Sequence, residues 1–128
     1  MRRTISTLAG SVALAFLAFG NLAAQQPPGL ENARDVTITA DVIDLSCKIV
    51  HDLSGPDHRM CAQVCADRGI PLALFVNGEV YVPVSTGMPG DGANEQLKPF
   101  AEQSVRVTGK VIERGGMKSI VIESIGAA

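Results

Sequence analysis

Val36, Ile38, Ala40 and Val42 alternate with Thr37, Thr39 and Asp41. The same period of two returns near the far end, where Val105, Val107 and Val111 alternate with Arg106, Thr108 and Lys110. A period of two sorts side chains onto opposite faces of an extended chain, so both stretches read as strands with one face in a core. Between them, the runs 72–76 and 79–84 flank Asn77-Gly78, the pair best suited to the positive φ angles of a two-residue hairpin turn. After Gly115-Gly116 the chain returns in a closing strand, with Ile120 and Ile122 on one face and Val121 and Glu123 on the other. Gly109 falls inside a strand, where a strongly curved sheet needs room to bend.

The helical signals are fewer. Asp57 as N-cap, Gly69 as stop and Pro71 as breaker bound one helix after the first strand. The first strand itself is expected to run to Leu45 or Cys47, with Ile49 and Val50 extending it past a bulge. A short helical turn over 95–102, kinked or begun by Pro99, is expected to turn Leu97 and Phe100 inward before the fourth strand. The expectation is a mainly β fold: a small five-stranded antiparallel OB-like barrel over residues 36–126, with the longer helix after strand one.

Residues 1–24 read as a secretory signal peptide. Arg2 and Arg3 form a charged start, an apolar run from Leu8 to Phe19 is short for a bilayer, and Leu22-Ala23-Ala24 offers a cleavage site. Residues 25–35, with Pro27, Pro28 and Gly29, read as an extended arm. Removing the leader leaves 104 residues, enough for one core, in a periplasmic or secreted location with no stable membrane anchor. It also removes two of 11 cationic side chains against 13 acidic ones, for a net charge of about −4. That balance argues against nucleic acid as a partner and leaves a protein partner in the exported compartment as the open possibility.

All 3 cysteines and both histidines fall between Asp44 and Pro71. On a helix at ~100° per residue, His58, Cys61 and Cys65 share a face, and Cys47 at the end of the preceding strand can be brought over it. Thiolates with an imidazole suit zinc or cuprous copper, so Cys47, His58, Cys61 and Cys65 are the candidate metal ligands. An odd cysteine count in an exported chain also fits one disulfide, from Cys47 to Cys61 or Cys65, with a spare thiol. A thiol redox enzyme is a third reading, although Cys-x-x-x-Cys is not the oxidoreductase spacing.

The residues Asp44-x-x-Cys47, then His58-x-x-Cys61-Ala62-x-x-Cys65-x-x-x-Gly69-x-Pro71, then Val105-x-Val107-Thr108-Gly109-Lys110-Val111 resemble an uncharacterised family of small exported bacterial proteins. That resemblance implies an OB-like barrel and an exported location, and it implies no activity. Taken alone, Cys61-x-x-x-Cys65 resembles the copper-binding motif of cytochrome oxidase assembly proteins, which carry it in a thioredoxin-like fold that these strands do not match.

A binding module using the barrel wall is the alternative to a metal-binding accessory protein. Arg106 and Lys110, with Arg114 and Lys118, fall on the last hairpin and form the candidate ligand-binding residues for it. Phe75, Tyr81 and Phe100 are the aromatic residues beyond the leader, too few for a stacking platform once the core has taken its share. No Ser-His-Asp set, paired-carboxylate site or phosphate loop appears, so hydrolase and kinase chemistries have no residues to carry them.

Overall fold

The computed structural model describes residues 26–128; the expected leader and its cleavage site lie outside the described residues. Five strands close a barrel in the order β1-β2-β3-β5-β4, comprising β1 (Arg34–Asp44), β2 (Leu72–Val76), β3 (Glu79–Pro83), β4 (Ser104–Arg114) and β5 (Met117–Ala127). Two helices, α1 (Leu45–His51) and α2 (Arg59–Asp67), fill the β1–β2 connection. A third, α3 (Asn94–Leu97), runs on into a 3-10 turn over Lys98–Phe100 ahead of β4.

The barrel is mixed rather than wholly antiparallel. Four neighbouring pairs are antiparallel, while β3 meets β5 in parallel through Val82 with Ser119 and Pro83 with Ile120. The reason is topological. Directions cannot alternate all the way round a ring of five strands, so closing it forces at least one parallel seam.

The alternating valines behave as their period requires. Ala40 and Val42 from β1, Val105, Val107 and Val111 from β4, Leu72 and Leu74 from β2 and Ile120 from β5 form one buried cluster. At Gly109 a Cβ would sit 2.2 Å from the Val121 carbonyl oxygen, beside a register shift between Thr108 and Gly109. Only glycine admits the β4–β5 approach there. Asn77 and Gly78 take the positive φ angles of 50° and 86° that the hairpin demands.

The β1–β2 connection departs from the expected pattern. β1 ends at Asp44 instead of running on to Cys47, and Ile49 and Val50 lie in or beside the last turn of α1 with high exposure. Their apolar character reads as strand in sequence, but Asp44 decides the matter by capping α1: its Oδ1 accepts from the Cys47 amide at 2.9 Å. The second helix is also shorter than expected. Pro56–His58 forms a 3-10 turn, α2 starts at Arg59 after an N-cap at His58, and Asp57 does not cap it. The expected arm is likewise shorter, because Pro28–Leu30 makes a 3-10 turn that buries Leu30 and β1 begins at Arg34.

α2 is placed by its small residues. Ala62 and Ala66, four apart and both buried in the barrel cluster, let the helix lie close against one end of the barrel. Polar pins secure the rest: the Asn94 amide donates to the Ala66 and Ile70 carbonyls at 3.1 and 2.8 Å, while its oxygen accepts from the Leu72 amide at 2.9 Å. Arg59 donates to the Pro99 carbonyl at 3.0 Å.

Candidate metal centre

Each cysteine position follows from the elements around it. With Ala62 and Ala66 turned to the core, Cys61 and Cys65 sit one position earlier, ~100° around α2 and on a common line. Cys47 is the third residue of α1, the position whose amide the Asp44 cap holds. The period of β1 puts Asp44 on the same side of the strand as Val42, so the carboxylate ends at the mouth of the barrel, where it is fully buried.

These placements bring the three sulfurs of Cys47, Cys61 and Cys65 within 4.8 Å of one another. A point about 2.8 Å or less from all three therefore exists, against the ~2.3 Å of a zinc–sulfur bond, so a contraction of a few tenths of an ångström would bring all three sulfurs to bonding distance of one ion. Cys61 is exposed, and Cys47 and Cys65 are half-buried. All three are free thiols, so the disulfide expected as the alternative is not formed.

His58 does not join the sulfurs in a single quartet. It belongs to a second set, Asp44–Cys47–His58, whose donor atoms also lie within 4.8 Å of one another and which shares Cys47 with the first. On two residues of this second set, Asp44 Oδ2 and His58 Nε2 are buried with no hydrogen-bond partner.

The electrostatics favour the protonated thiols of Cys47 and Cys65 in the metal-free protein. Cys65 is pushed up to about 12, first by the pull of the Asp44 carboxylate on its proton, then by burial, the Asp44 charge and the nearness of Cys61. Burial, followed by Asp44, raises Cys47 in the same direction. A bound cation reverses this balance by stabilising thiolates directly.

Two residues outside the sequence-based ligand set shape the centre. Asp44 appears in the Asp44-x-x-Cys47 pattern, and the signal for its role is an aspartate three residues before a position whose amide needs a cap. Glu102 has no such local signal, because its partners are distant in the chain. Its carboxylate accepts from the Gly55 amide at 2.7 Å and from the Asp44 amide at 3.3 Å, tying the loop ahead of His58 to the end of β1. It is nearly buried and holds a φ of 57°, unusual for a side chain of its size.

The barrel wall is less cationic than its sequence. Lys110 is ion-paired with Asp35 and Glu123, and Lys118 with Glu79; Arg106 and Arg114 remain exposed. Among the described residues, no helix is long and apolar enough to cross a membrane. Comparisons with protein-family models, curated proteins and solved structures find no match to this chain.

Proposed function

We propose that this chain is a small exported accessory protein that binds a thiophilic cation, cuprous copper or zinc, through Cys47, Cys61 and Cys65 on the end of an OB-like barrel. The observation that carries this reading is the mutual approach of three free sulfurs contributed by two helices that the barrel holds together. Cuprous copper is satisfied by three soft donors, and zinc takes a fourth from solvent or from the neighbouring oxygen and nitrogen donors. The exposed side of the centre, at Cys61, lets a partner protein in the same compartment give or take the ion by thiolate exchange. Export is supported by the charged, apolar and small-residue succession of residues 1–24.

The test is uptake of zinc or cuprous copper by the reduced full chain against the Cys47→Ser, Cys61→Ser, Cys65→Ser variant, under competition with a chelator. Tight uptake that the triple variant loses supports the reading, because a hydroxyl is a poor ligand for either ion. Equal weak uptake by both proteins would sink it. At a free ion concentration 100 times the Kd, the loaded protein should gain about 2.7 kcal/mol of stability, and the triple variant none.

A further inference from the structure

Asp44 and His58 present an unusual pair of unpaired atoms. Asp44 Oδ2 and His58 Nε2 are both buried and both lack a hydrogen-bond partner, although their residues bring donor atoms within 4.8 Å of each other and of the Cys47 sulfur. A buried polar atom with no partner costs roughly 1–3 kcal/mol, and native folds seldom leave two such atoms on neighbouring residues without something to satisfy them. A cation between them would satisfy both together.

Charge points the same way. With its thiols ionised, the cluster carries three thiolates and the Asp44 carboxylate, and Asp44 is fully buried. No ion pair among the described residues includes Asp44, and Lys48, the lysine on α1, is paired with Asp52 at 2.6 Å. One divalent ion at the three sulfurs would leave two negative charges uncompensated, an unfavourable arrangement where one of the charges is the fully buried Asp44 carboxylate. A second divalent ion brings the cluster to neutrality with the imidazole uncharged.

We propose that Asp44, Cys47 and His58 form a second cation position, joined to the three-sulfur position by a bridging Cys47 thiolate. The inference rests on the three-sulfur reading above and adds a dinuclear centre to it. Its oxygen, nitrogen and sulfur donors suit a borderline divalent ion such as zinc, whereas the three-sulfur position is the softer of the two. Cys47 is thereby the one residue on which both positions depend. The fully buried Asp44 makes the mixed-donor position the less exchangeable one, leaving the ion near exposed Cys61 to be passed on.

The experiment counts zinc on the reduced full chain by native mass spectrometry during titration. Two ions per chain are expected for the unaltered protein. Asp44→Asn and His58→Ala should each drop the count to one and weaken the second ion at least ~10-fold. Cys61→Ser combined with Cys65→Ser should also keep one ion, and Cys47→Ser should hold neither tightly. Asparagine keeps an oxygen to cap α1. Should that variant fail to fold, His58→Ala decides the matter, since the His58 side chain makes no hydrogen bond in α2 capping. A single ion lost on Cys→Ser substitution but indifferent to Asp44→Asn and His58→Ala would overturn the dinuclear centre while leaving the three-sulfur site standing. A single ion that needs all five residues would overturn it in favour of one shared site. No zinc at all would overturn the dinuclear centre, and the three-sulfur reading falls with it when cuprous copper is refused as well.

Discussion

The barrel wall and the segment 45–71 that joins β1 to β2 hold their shapes by different means. In the wall, alternating strands deliver Val42, Leu74, Val105, Val107 and Ile120 to a cluster with no solvent exposure, and apolar burial does the holding. In the connecting segment, α1 buries no residue and α2 only Ala62 and Ala66, while Ile49, Val50, Met60 and Val64 stay exposed. Its place is set by directed polar contacts instead: the Asp44 cap, the Glu102 carboxylate and the Asn94 amide. Helices of this length are marginal on their own. A thiol cluster built there can adjust to an ion without disturbing the core, and an ion can in turn stiffen the helices.

The largest effect that would sharpen this contrast is a truncation inside the wall. Leu74→Ala should cost about 3 kcal/mol, as the side chain is fully buried among strands that cannot collapse around the gap. Met60→Ala, on the outer face of α2, should change stability by less than ~0.5 kcal/mol. Urea unfolding of the two variants checks the pair, and similar costs would mean that the segment is packed as firmly as the barrel.

Next in size comes the polar brace between the regions. Glu102→Gln keeps one acceptor oxygen where the carboxylate offers two, so the Gly55 or the Asp44 amide loses its partner, at a cost of about 1–2 kcal/mol. The barrel should keep its circular dichroism while the Gly55 amide exchanges faster with solvent and zinc affinity falls. Unchanged exchange at Gly55 would show that the loop ahead of His58 is fixed by other contacts.

The same contrast explains what could be read in advance. Strand alternation is set by burial of one face, a property each strand carries in its own residues, so Val36–Val42 and Val105–Val111 announced the wall. The parallel β3–β5 seam belongs to closure of a five-strand ring, and no single strand carries it. Cys47, Cys61 and Cys65 were legible as a candidate donor set because thiol chemistry is local, but the strand reading of 45–50 failed since Ile49 and Val50 look like strand residues until Asp44 caps them into a helix. Glu102 was invisible because its two partners lie 47 and 58 residues away. The separation of His58 from the sulfur set into a second one follows from where the 3-10 turn at Pro56 releases α2, a detail that helical periodicity alone does not encode.

The smallest effect concerns pH and distinguishes the metal-free from the loaded centre. Cys65 is raised from an ordinary 9.0 to about 12, with Asp44 as the leading cause, and Cys47 is raised in the same sense. The folded protein thus favours the neutral thiols, and the stability they contribute is complete below the ordinary value. It is lost as pH rises from about 9 towards 12, where the unfolded chain ionises first. Lys98, Lys110 and Lys118, raised by their carboxylate partners, lose stability over a similar alkaline range, so the total slope does not isolate the thiols. Comparison with Cys65→Ser does: in chelator and reductant, the unaltered protein's denaturation midpoint should fall more steeply above pH 9 than the variant's. With zinc bound, the thiols are already ionised in the folded state and the difference should vanish or reverse. Parallel alkaline slopes for the two metal-free proteins would mean that Asp44 exerts no such hold on Cys65, and the close approach of the carboxylate to the sulfur cluster would have to be given up.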